Sequence, residues 1–310
     1  MSPTRATRPV LKIGPNDVGP LPINDLLRFP LDRRQLVARV RNALREDGAF
    51  DDITTIATVV SNRRARATMV ARAAGTISGV PLAIAAFRIL DPKATIRVDV
   101  NDGGRVQPGT SVMYISAHAR ALLSAERVAL NFMQRLSGIA TLTSRYVDAV
   151  RGTRARIFDT RKTTPGWRLL EKYAVRAGGG VNHRLGLTDA ILIKDNHLAA
   201  LGGDIPLAVE RVRRLAPKGS RLEVECDRVE QVEAALAAGV DVVLLDNMSA
   251  EDLERCVALA KDRALTEASG GISLDTVRRV ADTGVDWISV GALTHSAPSL
   301  DLALDFESLA

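Results

Sequence analysis

The sequence predicts an α/β protein in which a small α/β N-terminal domain precedes an incomplete α/β (TIM-like) barrel. From residue 154 onward, short apolar segments alternate with amphipathic helical segments, an order that indicates parallel strands joined by right-handed crossovers. Most apolar segments end in a charged residue or in glycines, and functional groups at the carboxyl ends of successive strands are typical of a barrel. We count about six strand–helix repeats, whereas a complete barrel has eight, so the barrel is expected to be incomplete. The predicted strands are 155–158, 190–193, 221–225, 242–245, 264–268 and 287–290.

The first part of the chain predicts a layer of helices and strands. Apolar residues between 32 and 47 recur on one helical face, and Gly48 is expected to end that helix. The segment FDDITT (50–55) predicts a polar turn, and alternating apolar residues across 67–71 predict a strand. The other predicted elements are a helix at 81–90, strands at 96–100 and 111–116, and a long helix at about 120–151 interrupted near Ser137 and Gly138.

These patterns predict four segments of different character. Residues 1–25, with several prolines and glycines, are expected to form a flexible tail. The N-terminal domain is expected at 26–132 and the catalytic barrel at 133–297. Residues 298–310 are expected to pack back on the N-terminal domain.

Composition narrows the class of protein. With 310 residues, 46% hydrophobic and 25% charged, the chain has the profile of a soluble globular protein. No apolar run reaches the length of a membrane span, and the first residues lack the apolar core of a secretory signal, so a cytoplasmic location without membrane attachment is expected. Two cysteines, Cys226 and Cys256, have no metal-binding or CxxC spacing and are expected to be reduced structural thiols.

The net charge of +6 needs an explanation of its own. A nucleic-acid-binding protein would be expected to show stacking aromatics or a known module, but aromatic residues make up only 4% of the chain. Most basic residues instead accompany glycine-rich loops. We therefore expect a concave site for an anionic small molecule and no nucleic-acid partner.

The segment 158–197 concentrates the charges that such a site needs. Arginine offers a planar fork for carboxylate or phosphate, and lysine offers a point charge. A glycine triplet at 178–180 and two short apolar runs separate these charges. The segment is predicted to form the floor of an active site for a substrate with several negative charges. Its charged residues are Asp159, Arg161, Lys162, Lys172, Arg176, His183, Arg184, Lys194 and His197.

Two carboxylates, Glu225 and Asp246, end consecutive predicted strands. Such a pair could hold Mg²⁺ directly or through water, or could stabilise a cationic sugar centre, although each alone could be a structural cap. Glycines at 269–271 and 290–292 follow the last two strands. They predict a phosphate cradle of free backbone N–H groups, and tight turns between strand and helix are the alternative.

Two further residues keep several interpretations open. Lys194 could form a Schiff base, contact an anion or pair with Asp195, and the neighbouring arginines favour the anion. His183 could hydrogen-bond a carboxylate or a ring nitrogen of a substrate, although a structural role is the default for a lone histidine. The remaining histidines have no zinc-binding spacing.

Six motifs resemble the quinolinate phosphoribosyltransferase family, also called carboxylating nicotinate-nucleotide pyrophosphorylase. They are DDITT, DTRKTTPGWR, GGGVNHRLGLTDAILIKDNH, EVEC, LLDN and EASGGI, and the resemblance runs from about Arg28 to the C-terminus. It implies the type II phosphoribosyltransferase fold, an α/β N-terminal domain with an incomplete barrel, usually as a homodimer. It also implies transfer of phosphoribose from phosphoribosyl pyrophosphate (PRPP) to quinolinate, with nicotinate mononucleotide, pyrophosphate and CO₂ as products and Mg²⁺ as cofactor.

The resemblance also assigns residues. Arg127, which by itself would be interpreted as a solvated helix charge, is implied to reach the site of the neighbouring subunit. The implied quinolinate contacts are Arg127, Arg161, His183, Arg184 and Lys194. The implied PRPP contacts are Lys162, Lys194, Glu225 and Asp246, which are also the expected catalytic residues. The remaining implied substrate contacts are Thr160 and, around the 5′-phosphate, Ser269, Gly270, Gly271, Val290, Gly291 and Ala292.

Competing interpretations remain at this stage. A doubly wound open sheet is the alternative architecture, but neither GxGxxG nor GxxxxGK[ST] occurs. A related transferase, either the type associated with molybdate transport operons or one that prefers nicotinate, would need fewer cations. A lyase with Lys194 as Schiff-base nucleophile and a basic nucleic-acid-binding protein complete the alternatives.

Overall fold

A computed structural model describes residues 28–217 and 219–308, so the predicted tail at 1–25 lies outside the described residues. The described residues divide into two compact units, one that contains residues 28–141 and 298–308 and one that contains residues 142–217 and 219–297. The predicted boundary after residue 132 thus precedes the observed division. None of the described helices combines the length and the apolarity needed to cross a bilayer.

The helices and strands follow one another in the order α, α, β, β, α, β, β, β, α through the first half of the chain. The second half alternates strand and helix, except that two helices follow its second strand, and ends with one further strand. The first nine elements are α1 (Arg33–Glu46), α2 (Ile53–Thr58), β1 (Arg64–Ala71), β2 (Gly75–Thr76), α3 (Val80–Leu90), β3 (Thr95–Val98), β4 (Arg105–Val106), β5 (Ser111–His118) and α4 (Ala119–Ala149). The others are β6 (Arg156–Phe158), α5 (Arg168–Ala177), β7 (Ile191–Ile193), α6 (Asp195–Ala199), α7 (Ile205–Leu215), β8 (Leu222–Cys226), α8 (Val229–Ala237), β9 (Val242–Asp246), α9 (Ala250–Ala260), β10 (Leu265–Ser269), α10 (Val277–Asp282), β11 (Trp287–Ser289), α11 (Ala292–His295) and β12 (Leu302–Ser308).

The first unit is built on a four-stranded sheet in the order β12-β1-β5-β3. The neighbouring strands are all antiparallel. Met69 of β1 lies opposite Met113 of β5 on one side and Leu304 of β12 on the other, and all three side chains are buried. The last strand of the chain therefore completes the sheet that the first strand begins.

The start of the first unit shows why one helix was predicted and another was missed. Asp32 caps α1 by accepting the N–H of Gln35 at 2.8 Å, and the Gln35 side chain accepts the Asp32 N–H in return. The turn predicted for FDDITT holds for Phe50 and Asp51 but was wrong for residues 53–55, because Asp52 accepts the N–H of Thr55 at 3.0 Å and caps α2. A six-residue helix of β-branched residues gives a weak periodic signal, so its cap was the clearer sign.

Helix α4 is continuous, so the interruption predicted near Ser137 and Gly138 was wrong. Ser137 accepts the backbone N–H of Ser78 through its side-chain oxygen at 2.9 Å. A Cβ on Gly138 would lie 2.0 Å from the carbonyl oxygen of Pro298. Both residues are thus explained by close packing within the first unit and not by a break in the helix.

The second unit contains the six predicted parallel strands, each within one residue of its predicted bounds, in the order β6-β11-β10-β9-β8-β7. Among the described residues no strand pairing joins β6 to β7. Phe158 of β6 instead forms a single parallel bridge with Val181, on the edge away from β11. The sheet is thus an incomplete barrel, as predicted.

One face of this sheet carries both a hydrophobic core and charged residues. Phe158, Val242 and Trp287 form a buried cluster, and the rings of Phe158 and Trp287 are stacked with their centroids 4.7 Å apart. Glu223 lies beside Val242 and Glu267 lies beside Trp287 in the parallel registers, so both glutamates share this face. Their burial, with at most 2% exposed, sets them apart from ordinary surface charges.

Candidate active site

Glu225 and Asp246 lie on the same face of the barrel sheet, at the carboxyl ends of β8 and β9. Glu225 is opposite Leu244, and Asp246 follows two residues later, so the alternation of side chains places both carboxylates on one side. Lys194 follows β7, the other neighbour of β8, and its Nζ donates to Glu225 Oε2 at 2.9 Å. Asp195 accepts the N–H of Asn196 instead, so the pair that Lys194 forms here is with Glu225.

Asp246 is oriented by Asn247, a residue that the sequence patterns did not single out. The Asn247 side chain donates to Asp246 Oδ2 at 2.8 Å, and its backbone N–H donates to the Ser269 carbonyl at 2.9 Å. Asn247 has a positive φ of 56°, which asparagine tolerates better than most residues. A Cβ on Gly270 would lie 2.2 Å from Asn247 Oδ1, so this glycine makes room for the Asn247 side chain.

Lys162 is held where the glycine segment 290–292 meets β6. Its backbone N–H donates to Thr160 Oγ1 at 3.1 Å, and its carbonyl accepts from Thr294 Oγ1 at 2.7 Å. A Cβ on Gly291 would lie 3.0 Å from Lys162 Cδ. The absence of a side chain at Gly291 therefore lets the exposed lysine lie across the turn.

Helix α5 anchors the loop that carries Arg161 and Lys162. Buried Glu171 accepts from the backbone N–H of Thr164 at 3.0 Å and from its hydroxyl at 2.9 Å. Arg168 donates to Thr163 Oγ1 at 3.0 Å and to the Leu185 carbonyl at 2.9 Å. One helix thus fixes two loops of the site.

Arg161, which is half-buried, and Arg184, which is buried, form a pair of like charges. The Arg161 Nε is buried without a hydrogen-bond partner among the described residues, and Arg184 is 9% exposed. Burial lowers the pKa of Arg184, and the positive charge of Arg161 lowers it further. Two partly desolvated guanidinium groups that repel each other create a strong preference for an anion between them.

A buried ion pair holds the backbone before Arg184. Lys172 Nζ donates to Asp159 Oδ1 and, at 3.0 Å, to the His183 carbonyl, while the His183 N–H donates to Asp159 Oδ1 at 2.8 Å. Asn182 donates to the other oxygen of Asp159 at 2.6 Å. Burial raises the pKa of Asp159 and lowers the pKa of Lys172, against their mutual attraction. Lys172 is only 1% exposed, so it holds this loop and does not face a ligand, contrary to its predicted place among the anion-binding charges.

The ring of His183 lies between two buried carboxylates. Its Nε2 is 3.3 Å from Glu223 Oε2 and 3.3 Å from Glu267 Oε2, and its Nδ1 accepts the backbone N–H of Arg184 at 2.8 Å. Burial alone would lower the pKa of His183, but hydrogen bonds and charges from both glutamates raise it to about 9. Burial and the charge of Glu267 raise the pKa of Glu223 to about 7. Nδ1 can accept the Arg184 N–H only in the neutral imidazole, so this contact opposes the protonation that the glutamates favour, and in the neutral ring the proton lies on Nε2.

The structure therefore brings most of the sequence-predicted residues of the second unit into two groups. One group contains Lys194, Glu225, Asp246 and the turn at Ser269, and the other contains Arg161, His183 and Arg184. Val290 and Ala292 flank Gly291 in the turn before α11, and Gly271 follows Gly270 in the turn after β10. Arg127 lies exposed on α4 in the first unit.

Glu223, Glu267 and Ser289 were not predicted as site residues. The Ser289 hydroxyl donates to Glu267 Oε1, and all three residues are buried. Their signal in the sequence is a polar residue at an inward position of an otherwise apolar strand. Glu223 precedes Glu225 by two residues and therefore shares its face.

An incomplete parallel barrel whose strands carry cations and carboxylates at their carboxyl ends defines a class, the α/β-barrel enzymes that act on polyanionic small molecules. Within that class the chain belongs to the quinolinate phosphoribosyltransferase family. Residues 52–137 match the model of the family's N-terminal domain, and residues 139–305 match the model of its C-terminal domain.

Individual relatives agree with this membership. A nicotinate-nucleotide pyrophosphorylase (carboxylating) of Mycobacterium leprae is 48% identical over 274 residues, which cover 86% of this chain and 95% of the relative. A probable enzyme of the same name from Bacillus subtilis is 41% identical over 275 residues, covering 89% and 94%. Among solved structures, NadC from Streptococcus pyogenes has a TM-score of 0.86 and 42% identity, covering 90% of this chain and 99% of that one.

Proposed function

We propose that this protein transfers phosphoribose from PRPP to quinolinate with loss of CO₂, as a carboxylating nicotinate-nucleotide pyrophosphorylase. The products are nicotinate mononucleotide, pyrophosphate and CO₂, a step of de novo NAD biosynthesis. Family membership over both domains and the names of the relatives support the activity. The structural observation that supports it best is the pair Arg161 and Arg184, because two partly desolvated guanidinium groups that repel each other suit a substrate with two carboxylates.

Quinolinate is proposed to bind at Arg161 and Arg184, with further contacts from Lys194, His183 and Arg127 of a second subunit. The orphaned Nε of Arg161 supports this placement, since a buried donor without a partner in the protein is suited to a ligand. Nicotinate lacks the second carboxylate and would leave one of the cations unpaired. The site therefore favours quinolinate over nicotinate.

PRPP is proposed to bind on the other group of residues. Lys162 and Lys194 supply positive charge to the pyrophosphate, while Thr160 and the turns at 269–271 and 290–292 receive the 5′-phosphate end. The positive φ values of Gly270 and Gly271, 94° and 59°, show that the first turn needs glycine. Part of that need arises from Asn247, and part of the need at Gly291 arises from Lys162, so packing within the protein also favours glycine in these turns. The phosphate cradle is proposed in addition to this structural role.

Magnesium is proposed as the cofactor, held by Glu225 and Asp246 directly or through water. The donor chemistry fits, since both are half-buried carboxylates on one face and Mg²⁺ prefers oxygen ligands. When bound, the ion would neutralise negative charge on the pyrophosphate. The ion pair between Lys194 and Glu225 keeps one carboxylate oriented at this place.

The protein contributes to the reaction mainly by positioning the substrates and by stabilising developing charge. The pyridine nitrogen is itself the nucleophile, so its attack on the anomeric carbon requires no general base. Glu225 and Asp246 offset the positive charge that grows at the ribose, and Lys162 and Lys194 stabilise the departing pyrophosphate. The positive charge of the pyridinium then stabilises the electron pair left on the ring carbon when the adjacent carboxylate departs as CO₂, and a proton from solvent bonds to that carbon to give nicotinate mononucleotide. Holding two polyanions together against their repulsion is the main contribution of the cations.

A homodimer is proposed as the working unit. Within the first unit, large apolar side chains around α2 are exposed, among them Ile53 at 81% and Val60 at 66%. Phe50 and Ile56 extend this surface. Contiguous exposed apolar residues of this kind mark interaction sites, and a second copy of the chain is the proposed partner. A cytoplasmic location is proposed with it, in keeping with two free, buried cysteines.

The test is product formation by the purified protein with PRPP, Mg²⁺ and either quinolinate or nicotinate. We expect nicotinate mononucleotide from quinolinate and at least a roughly 100-fold lower kcat/KM with nicotinate, because one carboxylate contact is lost. Equal use of both acids would contradict the assignment and favour a nicotinate-type transferase. Borohydride trapping of Lys194 with a sugar phosphate would instead support the lyase.

A further inference from the structure

Three polar atoms of His183 are hydrogen-bonded within the protein, and the fourth, Nε2, lies within ion-pair distance of two carboxylates without a hydrogen bond among the described residues. The buried ion pair binds its backbone N–H and carbonyl, with His183 N to Asp159 Oδ1 at 2.8 Å and Lys172 Nζ to His183 O at 3.0 Å. On the ring, Nδ1 accepts the Arg184 N–H at 2.8 Å, and Nε2 lies 3.3 Å from each of two glutamates. This arrangement places Nε2 between the two glutamates and turns Nδ1 toward the backbone of Arg184.

The two glutamates have no evident role unless they act through His183. Glu223 and Glu267 are 2% and 1% exposed on the inward face of β8 and β10. One oxygen of Glu267 accepts the Ser289 hydroxyl, and the other faces His183 Nε2. Two carboxylates buried this deeply cost free energy unless they are paired, and the imidazole is the group on which both converge.

We propose that Glu223 and Glu267 are positioning residues for quinolinate binding that act through His183 on Arg184. They hold the Nε2–H of the imidazole, which keeps Nδ1 unprotonated as the acceptor for the Arg184 amide. The fixed amide in turn fixes the position from which Arg184 extends beside Arg161. This inference rests on the proposed placement of quinolinate at these two arginines, and it makes His183 a link between the barrel interior and Arg184.

The tautomer of His183 links the two glutamates to the Arg184 amide. A neutral imidazole has one donor and one acceptor nitrogen, and the partner of one nitrogen decides the state of the other. In their ionised form the two carboxylates can only accept, so they select the tautomer with the proton on Nε2. That is the tautomer that the Arg184 N–H requires at Nδ1.

The first test is Glu267→Gln, which removes one of the two carboxylates that face Nε2 while nearly preserving volume. We expect the KM for quinolinate to rise about tenfold, with kcat and the KM for PRPP within about twofold of wild type, because Arg184 is displaced and the PRPP contacts are not. A proportional loss of kcat and of both affinities would indicate a general structural defect and would overturn the inference.

The second test is a double-mutant cycle with His183→Asn. The asparagine oxygen can stand in for Nδ1 as an acceptor for Arg184, but it offers nothing at the position of Nε2. In that background Glu267→Gln should change the KM for quinolinate by less than about twofold, since the link is already cut. Multiplicative effects of the two substitutions would show that Glu267 acts independently of His183 and would overturn the inference.

Ser289→Ala serves if Glu267→Gln does not fold. It removes the hydroxyl that holds the other oxygen of Glu267, so a smaller rise of about threefold in the KM for quinolinate is expected, absent in the His183→Asn background. His183, Glu223 and Glu267 could together hold a cation, so the metal content of the purified protein is measured in parallel. A stoichiometric ion that is lost in Glu267→Gln would overturn the inference in favour of a metal site.

A wild type without quinolinate turnover would overturn the proposed function itself, whereas normal turnover with multiplicative effects would overturn this inference alone.

Discussion

At the scale of single residues, the site depends on charges that the fold keeps away from water. Arg161 has a buried Nε without a hydrogen-bond partner among the described residues, and the charge of Arg161 lowers the pKa of Arg184. A bound dicarboxylate would relieve both, whereas Lys194 and Glu225 already neutralise each other in an ion pair. The buried Lys172 has the same chemistry as the other cations but a fixed partner in Asp159. Whether a charged side chain is available to a ligand therefore depends both on its burial and on whether the fold supplies it with a partner.

Arg161→Ala tests the binding charge most simply. We expect kcat/KM for quinolinate to fall by at least about 100-fold, because a charge-assisted and bidentate contact is lost from a desolvated site. The midpoint of thermal unfolding should change little, since Arg161 Nε has no partner in the described protein. Arg161→Lys is the matched control and should recover only part of the loss, as a lysine cannot form the planar fork. Near-normal kcat/KM in the alanine variant would contradict the assignment.

Sequence patterns reached some of these residues and not others for a physical reason. Glu225 and Asp246 end strands, so their common edge could be predicted from the repeat alone. The contact of His183 with Glu223 and Glu267 joins a loop to two strands, and no local pattern records it. The difference between Lys172 and Lys194 likewise depends on which partner the fold brings near.

At the scale of helices and strands, the periodic patterns were most successful where the elements repeat. The six barrel strands were predicted because each is apolar, short and followed by a helix. Helix α4 was predicted with a break because Ser137 and Gly138 have low helix propensity, yet packing against Pro298 explains the glycine. Propensity is a local property, and tertiary contacts override it here.

Gly138→Ala distinguishes these two explanations by the sign of its effect. Helix propensity alone predicts an increase of about 1 kcal/mol in the free energy of unfolding. The contact of 2.0 Å with the Pro298 carbonyl oxygen predicts a decrease of roughly 2–3 kcal/mol instead, because the backbone must move to admit a methyl group. We expect the decrease, measured by urea unfolding of the wild type and the variant. An increase would contradict the packing described for α4.

The turn that joins α3 to β3 predicts a specific dependence of stability on pH. Burial raises the pKa of Asp91, but hydrogen bonds from the backbone N–H groups of His118 at 2.8 Å and Lys93 at 2.9 Å outweigh it and hold the pKa below its usual value. A carboxyl group with a lowered pKa stabilises the fold above its unfolded-state pKa, and that stabilisation is lost as the pH falls through the folded-state value.

Asp91→Asn should therefore lower the free energy of unfolding at pH 7 by about 2 kcal/mol, since charged hydrogen bonds are lost. It should also weaken the loss of stability between about pH 5 and pH 3, because the titrating group is gone. Denaturant unfolding at several pH values measures both effects. Parallel pH profiles for wild type and variant would show that Asp91 does not carry this dependence.

At the scale of the whole molecule, the proposed dimer gives Arg127 its role. Arg127 lies exposed on α4 in the first unit, whereas Arg161 and Arg184 lie in the second. Sequence alone favoured a solvated charge for this arginine, and only the family resemblance implied a function in a neighbouring site. Nothing in a single chain could supply that information.

Subunit mixing tests the contribution of Arg127 across the dimer. Arg127→Ala and Arg161→Ala should each be nearly inactive alone. After subunit exchange, mixed dimers contain one site with both defects and one site with neither, so activity should return to roughly one quarter of wild type. If Arg127 acted within its own chain, mixing would restore nothing.

Ile53→Glu tests the proposed dimer surface and should reduce the molar mass measured by light scattering toward that of one chain, because it places a charge on the exposed apolar surface.

The central claim is that Arg161 and Arg184 hold a pyridine dicarboxylate while its ribosylation drives loss of one carboxylate. The most direct measurement follows both products from quinolinate labelled in the 2-carboxyl group, with PRPP and Mg²⁺ present. We predict one labelled CO₂ for each nicotinate mononucleotide formed, and no labelled CO₂ when PRPP is omitted, because the pyridinium must form before the carboxylate leaves. Release of CO₂ without PRPP, or a ribosylated product that retains the label, would contradict it.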